Sequence, residues 1–312
     1  MMKRMMSFGE ALIDMQPLSP TTFEACPGGA PANVAVAFSR LGGAAAFAGG
    51  LASDAMGQLL EQSFTANGVD TSPCFRDVTA STALVLISHD GSGDRSFQFY
   101  RHDTADLRFP ASHWQLSHFQ GDSWFHFCSN TLNTPSLAAA TDQALSLAKR
   151  QGCRISFDVN LRPGLWPTEA AMAAAVTARI TEADLVKFSA DELALLARCQ
   201  GETIAAYRQR CLAGRCQLLV VTDGAAAVSF FTQDQQGEVS VPAISAVDTT
   251  AAGDAFVGAL LWVLADKALN EAPDIERAVA FAVQAGSFTC LKKGAFSALP
   301  RLSDLQVSRE TS

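Results

Sequence analysis

The segment from Asp248 to Asp254, in which small residues lead directly into an apolar run, has the composition of an anion-binding turn. Ala251, Ala252 and Gly253 leave their backbone N–H groups accessible where the following residues predict the start of a helix. The positive end of the helix dipole favours an anion such as phosphate at that point. Asp254 falls in the first turn, where its carboxylate can accept the proton of a hydroxyl during phosphoryl transfer. An acidic residue that only stabilises the helix dipole is the alternative interpretation of Asp254.

A glycine pair near the start of the chain, Gly28 and Gly29, precedes Asn33. Glycines let a ligand approach the backbone, and an Asn side chain both donates and accepts hydrogen bonds, as a sugar hydroxyl requires. Asp14, expected just past the first strand, adds a carboxylate whose burial the hydroxyls of a polyol would offset. A plain turn followed by a helix N-terminus is the alternative for the glycine segment.

Charged and hydroxyl residues also follow three predicted strands. They are Asp158 to Arg162, which includes Asn160, then Lys187 with Ser189, and Thr222 with Gly224. The carboxyl ends of parallel strands share one edge of a sheet, where ligands bind in folds of this kind. We therefore expect these residues to lie along one edge, although each segment taken alone is also compatible with an ordinary turn.

The elements that must position these residues alternate between strand and helix for most of the chain. The predicted strands are Ala45 to Gly49, Ala83 to Ser88, Ser96 to Tyr100, Trp124 to Cys128, Arg154 to Asp158, Leu185 to Phe188 and Leu218 to Thr222. The predicted helices are Pro31 to Leu41, Met56 to Asn67, Ser136 to Gln151, Glu169 to Thr181, Asp191 to Cys199, Asp254 to Leu264 and Ile275 to Thr289. Such alternation predicts a mostly parallel sheet covered by helices on both faces. A hairpin with a turn at Asp90 to Gly93 is the exception to this pattern.

Length and composition exclude several classes of protein. The 312 residues suggest two domains of about 150 residues, or one large α/β unit with an appendage. A hydrophobic fraction of 48% supplies a core and excludes general disorder. The net charge of −8 argues against a nucleic-acid partner, because polyanions are repelled. Neither GxxxxGK[ST] nor GxGxxG occurs, which argues against a P-loop and against a nicotinamide-dependent oxidoreductase.

The start of the chain and its cysteines favour a cytoplasmic protein. The eight cysteines include no CxxC pair and no disulfide-framework spacing, and the basic pair Lys3 and Arg4 precedes no signal-type apolar stretch. The apolar run from Ala255 to Ala265 is about half of the ~20 residues that a membrane span needs. We therefore expect no membrane association and read this run as a buried helix.

The chain resembles the PfkB-type carbohydrate kinases of the ribokinase-like superfamily, and within them the bacterial fructokinase branch. Two signature regions carry the resemblance, Gly28 to Gly42 near the start and Asp248 to Asp254 near the end. Three further segments add fructokinase-like features: Arg95 to Arg101, Asp158 to Trp166 and Lys293 to Pro300. The resemblance implies one ribokinase-like domain over residues 1–312, with a small β lid formed by about 14–26 and 82–109. It also implies a homodimer through that lid.

Site roles follow from the resemblance. Asp254 is implied to be the catalytic base, with Ala251, Ala252 and Gly253 as the anion hole and Arg162 as a cation for the charge that develops in transfer. The implied sugar-binding residues are Asp14, Gly28, Gly29, Asn33, Phe97, Arg101 and Asn160. Those implied for ATP are Lys187, Ser189, Glu192, Thr222, Gly224 and Gly294. Glu192 is implied to reach Mg²⁺ through water, and Asp248, Thr250 and Gly294 form a candidate K⁺ site.

Four positions depart from the family pattern: Ala251, Ser189, Asp223 and Ala227. The departures leave three hypotheses open. The first is an ATP-dependent fructokinase that phosphorylates a primary hydroxyl. A kinase of ribosides such as aminoimidazole riboside is the second, since that branch shares both signatures and carries Ser at the position of Ser189. The third is a non-catalytic family member that binds a sugar or nucleotide, against which the intact Gly253 and Asp254 count.

Overall fold

The computed structural model describes residues 3–89, 95–121, 123–269 and 271–306. Within these ranges the strands are β1 (Arg4–Phe8), β2 (Leu12–Ser19), β3 (Thr22–Gly28), β4 (Ala44–Ala48), β5 (Gly50–Ala52), β6 (Phe75–Asp77), β7 (Leu84–His89), β8 (Arg95–Tyr100), β9 (Trp124–Cys128), β10 (Arg154–Asp158), β11 (Leu185–Ser189), β12 (Leu218–Thr222), β13 (Val228–Phe231) and β14 (Gln236–Val239). The α-helices are α1 (Ala30–Arg40), α2 (Ala55–Ala66), α3 (Pro135–Arg150), α4 (Glu169–Ile180), α5 (Ala190–Cys199), α6 (Ile204–Leu212), α7 (Ala252–Leu264), α8 (Ala272–Thr289) and α9 (Leu302–Gln306). The turn predicted at Asp90 to Gly93 lies outside the described residues.

The central sheet has eight strands in the order β14-β13-β12-β11-β10-β9-β1-β4. All pairs from β12 to β4 are parallel, and β13 and β14 extend the sheet as antiparallel strands. The mostly parallel α/β fold predicted from strand and helix alternation is therefore confirmed. The antiparallel extension and helix α6 were not predicted, because their short runs carry little periodic signal.

Each face of the central sheet buries its own apolar core. Successive residues of a strand face opposite sides, so Trp124 packs with α1, α7 and α8, whereas Phe125 and Phe127 pack on the other side. The Trp124 indole donates to the Leu261 carbonyl at 3.0 Å, which ties α7 to the sheet. On the opposite face Phe127 stacks on Phe157 with ring centroids 4.6 Å apart. The Trp124 hydrogen bond thus fixes α7 against one face of the sheet, and the phenylalanine stack belongs to the core of the other face.

A second, four-stranded sheet with the order β3-β2-β7-β8 corresponds to the predicted β lid. Asp14 lies inside β2 of this sheet, paired with Cys26 and Val85. The expectation that Asp14 follows the first strand was wrong, because β1 ends at Phe8 and the chain then enters the small sheet. Among the described residues no helix is both long and apolar enough to cross a membrane.

Candidate active site

The carboxyl edge of the central sheet arranges polar residues in the order of the strands. Thr222 is the last residue of β12 and Asp158 the last residue of β10, and Lys187 lies within β11 opposite Asp158. Asn130 and Glu10 follow β9 and β1. Neighbouring strands lie about 4.8 Å apart, so Glu10 and Lys187, three strands apart, stand at opposite ends of a row about 14 Å long. That row is long enough for two ligands side by side.

A cavity of about 550 Å³ lies over this edge, between the sheet, the N-termini of α1 and α7, and the lid. Its volume is typical of small-molecule sites. Eleven residues expected in the site line it: Asp14, Gly29, Asn33, Arg101, Asn160, Arg162, Lys187, Thr250, Ala251, Gly253 and Asp254. Eight others in the lining had been given no role: Glu10, Leu12, Ala30, Val85, Phe99, Asn130, Asp158 and Thr249. Of these, Ala30, Asp158 and Thr249 lie in segments that the sequence analysis singled out.

The turn before α7 has the geometry of an anion site. Ala251 is the N-cap residue of α7 and adopts a left-handed conformation, with φ 59°. Successive N–H groups around a left-handed residue can converge on an anion. The Ala252 N–H donates to the Thr249 carbonyl at 3.3 Å, and Ala252 does not line the cavity. Anion binding by this turn stays a prediction, and of its three residues Ala251 and Gly253 line the cavity.

Asp254 sits in the first turn of α7, half-buried at the cavity wall. The Asn33 amide donates to its Oδ2 at 2.7 Å. Burial and the nearby Asp158 raise the pKa of Asp254 to about 7, although the Asn33 hydrogen bond and the positive charges of Lys187 and Arg162 oppose the rise. A carboxyl group with such a pKa exchanges a proton near neutral pH, as a general base must.

Lys187 and Asp158 form a buried ion pair on adjacent strands, with 3.0 Å between Nζ and Oδ1. Burial alone would lower the pKa of Lys187, but the carboxylates of Asp158 and Glu192 outweigh it and raise the pKa. A Cβ placed on Gly253 would lie 3.5 Å from the Lys187 ammonium. The charged end of Lys187 therefore reaches the anion-binding turn of α7.

Asn160 and Arg162 bring a second polar segment into the cavity from the end of β10. Asn160 is 9% exposed and has φ 38°, a left-handed conformation that Asn tolerates better than most residues. Arg162 is exposed, and its Nη1 donates to the Leu161 carbonyl at 2.8 Å. These two residues stand between the Lys187 end and the Asn130 end of the row.

The glycine segment before α1 is shaped by close backbone contacts. Gly29 has φ 110°, and a Cβ there would lie 2.4 Å from the Glu10 carbonyl. A Cβ on Gly28 would meet Asp14 Oδ2 at 2.8 Å. Burial, with a smaller contribution from Asp248, raises the pKa of Asp14 to about 6. Gly28 thus leaves room for the Asp14 carboxylate, without itself lining the cavity.

Of the residues expected to bind ATP, Lys187 lines the cavity, whereas Ser189, Glu192, Thr222 and Gly224 lie at the β11 and β12 end outside its lining. Ser189 and Glu192 form a capping box at the start of α5, and the Glu192 carboxylate also accepts from the Leu161 N–H at 2.7 Å. Thr222 stands opposite Ser189 in the strand register, and Gly224 follows with φ 54°. The Glu192 carboxylate therefore holds two backbone segments, the loop after β10 at Leu161 and the start of α5 at Ser189.

Asp248 and Gly294 meet outside the cavity lining. The buried Asp248 carboxylate accepts from the Thr250 N–H at 2.8 Å and from the Gly294 N–H at 3.1 Å. Two backbone donors thus satisfy the Asp248 carboxylate, as they would in an ordinary loop. The two hydrogen bonds place the backbone of Thr250 and Gly294, the other members of the candidate K⁺ site, beside the carboxylate.

The lid contributes residues from β7 and β8. Arg101 is 4% exposed at its side chain and donates from Nε to Asp106 at 2.5 Å. Phe99 and Val85, which pair across the two strands, line the cavity. The side chain of Phe97 lies outside the described part of the chain. Phe99 was missed although it lies two residues before Arg101, which directly follows β8, and strand alternation places residues at that spacing on one side.

The fold and the cavity define a kinase of the ribokinase-like class: a mostly parallel α/β sheet, a β lid, and an anion-binding helix start beside a half-buried carboxylate. The chain belongs to the pfkB family of carbohydrate kinases, whose family profile matches residues 2–302. Both the family and the sugar-kinase class expected from the two signature regions are thereby confirmed.

Fructokinases stand among the proteins that the chain resembles. It is 37% identical to Fructokinase-2 of Oryza sativa subsp. japonica, over 96% of this chain and 92% of the relative. The fructokinase of Xylella fastidiosa, solved with bound ATP, is 40% identical with a TM-score of 0.94 and full coverage of both chains. The fructokinase of Vibrio cholerae O395, solved with fructose, ADP and calcium ion, is 35% identical with a TM-score of 0.89 and 98% coverage of both chains.

Proposed function

We propose that this protein is an ATP-dependent fructokinase, with Asp254 as the base. The observation that carries the proposal is the half-buried Asp254 carboxylate, which lies between the anion-binding turn of α7 and the Asn33 amide in one cavity. Its pKa of about 7 suits proton acceptance at neutral pH. The fructokinases that align over nearly the whole chain favour fructose as the sugar.

The reaction follows from the charge distribution. The primary hydroxyl of the sugar attacks the γ-phosphorus of ATP in line, its proton passes to Asp254, and the bond from the γ-phosphorus to the bridging oxygen breaks to release ADP. The N–H groups of Ala251 and Gly253 and the ammonium of Lys187 face the charge that develops on the transferred group. Arg162 supplies a further cation at the mouth of the cavity.

We place the two substrates at the two ends of the row, and the order of the strands supports this. Lys187, Ser189 and Thr222 at the β11 and β12 end suit the nucleotide, and Asp14, Gly29 and Asn33 near α1 suit the sugar. Gly28 supports this sugar side by leaving space for Asp14. The lid residues Arg101 and Phe97 belong to the same side in this proposal. When the lid closes, it excludes the water that would otherwise compete for the γ-phosphoryl group.

The cation assignments rest on the oxygen donors present. Both Glu192 oxygens accept backbone N–H bonds, and each retains a lone pair for a metal-bound water, which fits Mg²⁺ held mainly by ATP phosphates. Magnesium would neutralise phosphate charge there. The Asp248 carboxylate with the carbonyls of Thr250 and Gly294 is a hard-oxygen set that suits K⁺. Potassium would add positive charge beside the α7 turn.

Assembly and location complete the proposal. The outer face of the lid exposes Leu18 at 65% and Tyr100 at 53%, beside a shallow cavity lined in part by Pro17 and Phe23. Apolar surface of this kind suits a second copy of the chain, so we expect a homodimer through the lid. Light scattering at micromolar concentration tests this, and a monomeric mass contradicts it. Consumption of ATP favours a cytoplasmic location.

The test of function is ADP formation with Mg²⁺ and K⁺ across fructose, ribose, glucose, 2-keto-3-deoxygluconate and aminoimidazole riboside. We expect the highest kcat/KM with fructose, and a loss of about 10²- to 10⁴-fold in kcat in the Asp254→Asn protein. A higher kcat/KM with the riboside would identify a riboside kinase. Nucleotide binding without phosphorylation of any sugar would instead support the non-catalytic hypothesis.

A further inference from the structure

The end of the cavity farthest from Lys187 contains a polar cluster in which Arg101 alone was expected from the sequence. It consists of Glu10, Asn130 and Arg101, all of which line the cavity, with Asp106 behind Arg101. The cluster lies beyond β9 and β1, about 10 Å along the sheet edge from Asp158. A sugar whose reacting hydroxyl lies at Asp254 would direct its opposite end toward this cluster.

Glu10 joins three separate elements of the site. Its carboxylate is 4% exposed and accepts from the Asn130 amide at 3.0 Å and from the Ala30 N–H at 3.3 Å. Its charge also acts on the Arg101 guanidinium. Burial would lower the pKa of Arg101, but the charges of Asp106 and Glu10 reverse this effect and raise the pKa. Glu10 thus holds the start of α1 and the loop after β9, and it stabilises the charge of Arg101 at the lid.

The cluster has one net negative charge, because the carboxylates of Glu10 and Asp106 surround a single guanidinium. The other cations in the cavity lining, Lys187 and Arg162, belong to the β10 and β11 end. The carboxyl groups of Asp158 and Asp254 lie at that end too, so its cations are balanced by carboxyl groups. At the Glu10 end the Arg101 guanidinium is already paired with Asp106, and an anion placed there would face the Glu10 carboxylate.

An unpartnered polar atom indicates that a neutral hydroxyl belongs here. Asn130 is 6% exposed, and its Oδ1 has no hydrogen-bond partner among the described residues, whereas its Nδ2 is held by Glu10. Leaving a buried acceptor without a partner is unfavourable, and a donor in the ligand would remove that cost. A sugar hydroxyl is such a donor, but a carboxylate or phosphate dianion is not.

We propose that Glu10 and Asn130 make this end of the cavity specific for the uncharged, hydroxyl-bearing end of a sugar and exclude sugars that carry a carboxylate or phosphate there. Asn130 accepts the hydroxyl through Oδ1. Glu10 orients Asn130 and Arg101 and supplies the charge that repels an anion. This assignment rests on the proposed sugar-kinase function and adds the substrate class to it.

A matched pair of sugars tests the proposal without any variant. 3-Deoxyfructose and 2-keto-3-deoxygluconate are identical from C2 to C6. At C1 the first sugar carries a hydroxymethyl group and the second a carboxylate, and C1 is the end remote from the primary hydroxyl at C6. We expect the wild-type protein to bind the neutral sugar at least 10-fold more tightly by calorimetry without ATP. Equal binding of the two sugars would overturn the proposal. Since binding is measured without turnover, this result is separate from a failure of kinase activity.

A variant pair then identifies the residue responsible. Glu10→Gln keeps the size of the side chain and removes its charge, so the preference for the neutral sugar should fall at least 10-fold. Glu24→Gln removes an exposed lid carboxylate outside the cavity and should leave the preference unchanged. A purely structural role for Glu10 would weaken both sugars equally, and that outcome overturns the proposal. If Glu10→Gln does not fold, Asn130→Ala is used in its place. We expect this variant to lose affinity for 3-deoxyfructose, and an unchanged affinity would contradict the proposal.

Discussion

The side-chain amide of Asn33 donates a 2.7 Å hydrogen bond to Oδ2 of Asp254, across 221 positions of the chain. The bond joins the N-terminal turns of α1 and α7, which pack against each other on one face of the sheet. It stabilises the charged carboxylate and so opposes the rise in pKa that burial causes. Residues near the two ends of the sequence therefore set the strength of one base.

The pH dependence of activity follows from the pKa of Asp254. Its folded-state pKa of about 7 lies above the ordinary value, so the carboxyl group is protonated and inactive as a base below that pH. We expect kcat/KM for fructose to rise tenfold per pH unit below about 7 and to level off above it. Initial rates between pH 5.5 and 9 measure this. A flat profile across pH 6 to 8 would contradict the assignment of the base.

Loss of the Asn33 amide should move that profile. In Asn33→Ala the carboxylate loses a hydrogen bond that lowers its pKa, so the acid limb should shift to higher pH. The maximal rate at high pH should fall less than the rate at pH 6.5. Asn130→Ala is the control, because the Asn130 amide bonds to Glu10 and not to Asp254. A shift of the same size in both variants would contradict this prediction.

The left-handed backbone of Ala251 predicts opposite outcomes for two substitutions. Ala251→Gly relieves the strain at φ 59° and should retain the kcat of the wild-type protein within about threefold. Ala251→Val places a β-branched side chain in a conformation that it strongly disfavours, so the turn should rearrange. We expect kcat to fall at least 10-fold in the valine variant, with the KM for fructose less affected. Equal kcat values would show that this turn does not bind the transferred group.

Crowding at Gly29 predicts an effect on sugar binding. A Cβ at Gly29 would stand 2.4 Å from the Glu10 carbonyl, whereas Gly42, also at positive φ, has open space around it. Gly29→Ala should therefore displace the glycine segment and raise the KM for fructose severalfold. Gly42→Ala should cost about 1 kcal/mol of stability through backbone strain alone and leave the KM unchanged. Kinetics and urea denaturation of both proteins decide between these outcomes.

The Lys187–Asp158 pair predicts a double-mutant cycle. Lys187→Met leaves the Asp158 carboxylate buried without its cation, which should cost about 3–5 kcal/mol in the free energy of unfolding at pH 7. Lys187→Met with Asp158→Leu removes both charges and should recover most of that stability. Both proteins should lose kcat, since Lys187 adjoins the anion-binding turn. An additive cycle in urea denaturation would show that the pair is not coupled.

Local sequence patterns predicted much of the fold and part of the candidate site. Alternating strand and helix signals predicted the parallel sheet, and the small residues before Asp254 predicted an anion-binding turn at the start of a helix. Both depend on interactions between residues close in sequence, namely side-chain periodicity and the exposure of backbone N–H groups at a helix start. The placement of polar residues after strands also followed, because the strand ends of a parallel sheet share an edge.

What only the tertiary structure decided is the set of partners that meet at that edge. No sequence pattern pointed to Glu10, and it meets Asn130 because β1 and β9 are neighbours in the sheet. Lys187 and Asp158 pair because β10 and β11 are adjacent in one register, and Asn33 reaches Asp254 because α1 packs on α7. Such contacts depend on which elements become neighbours, a property that burial of the whole apolar core determines and that no local spacing encodes.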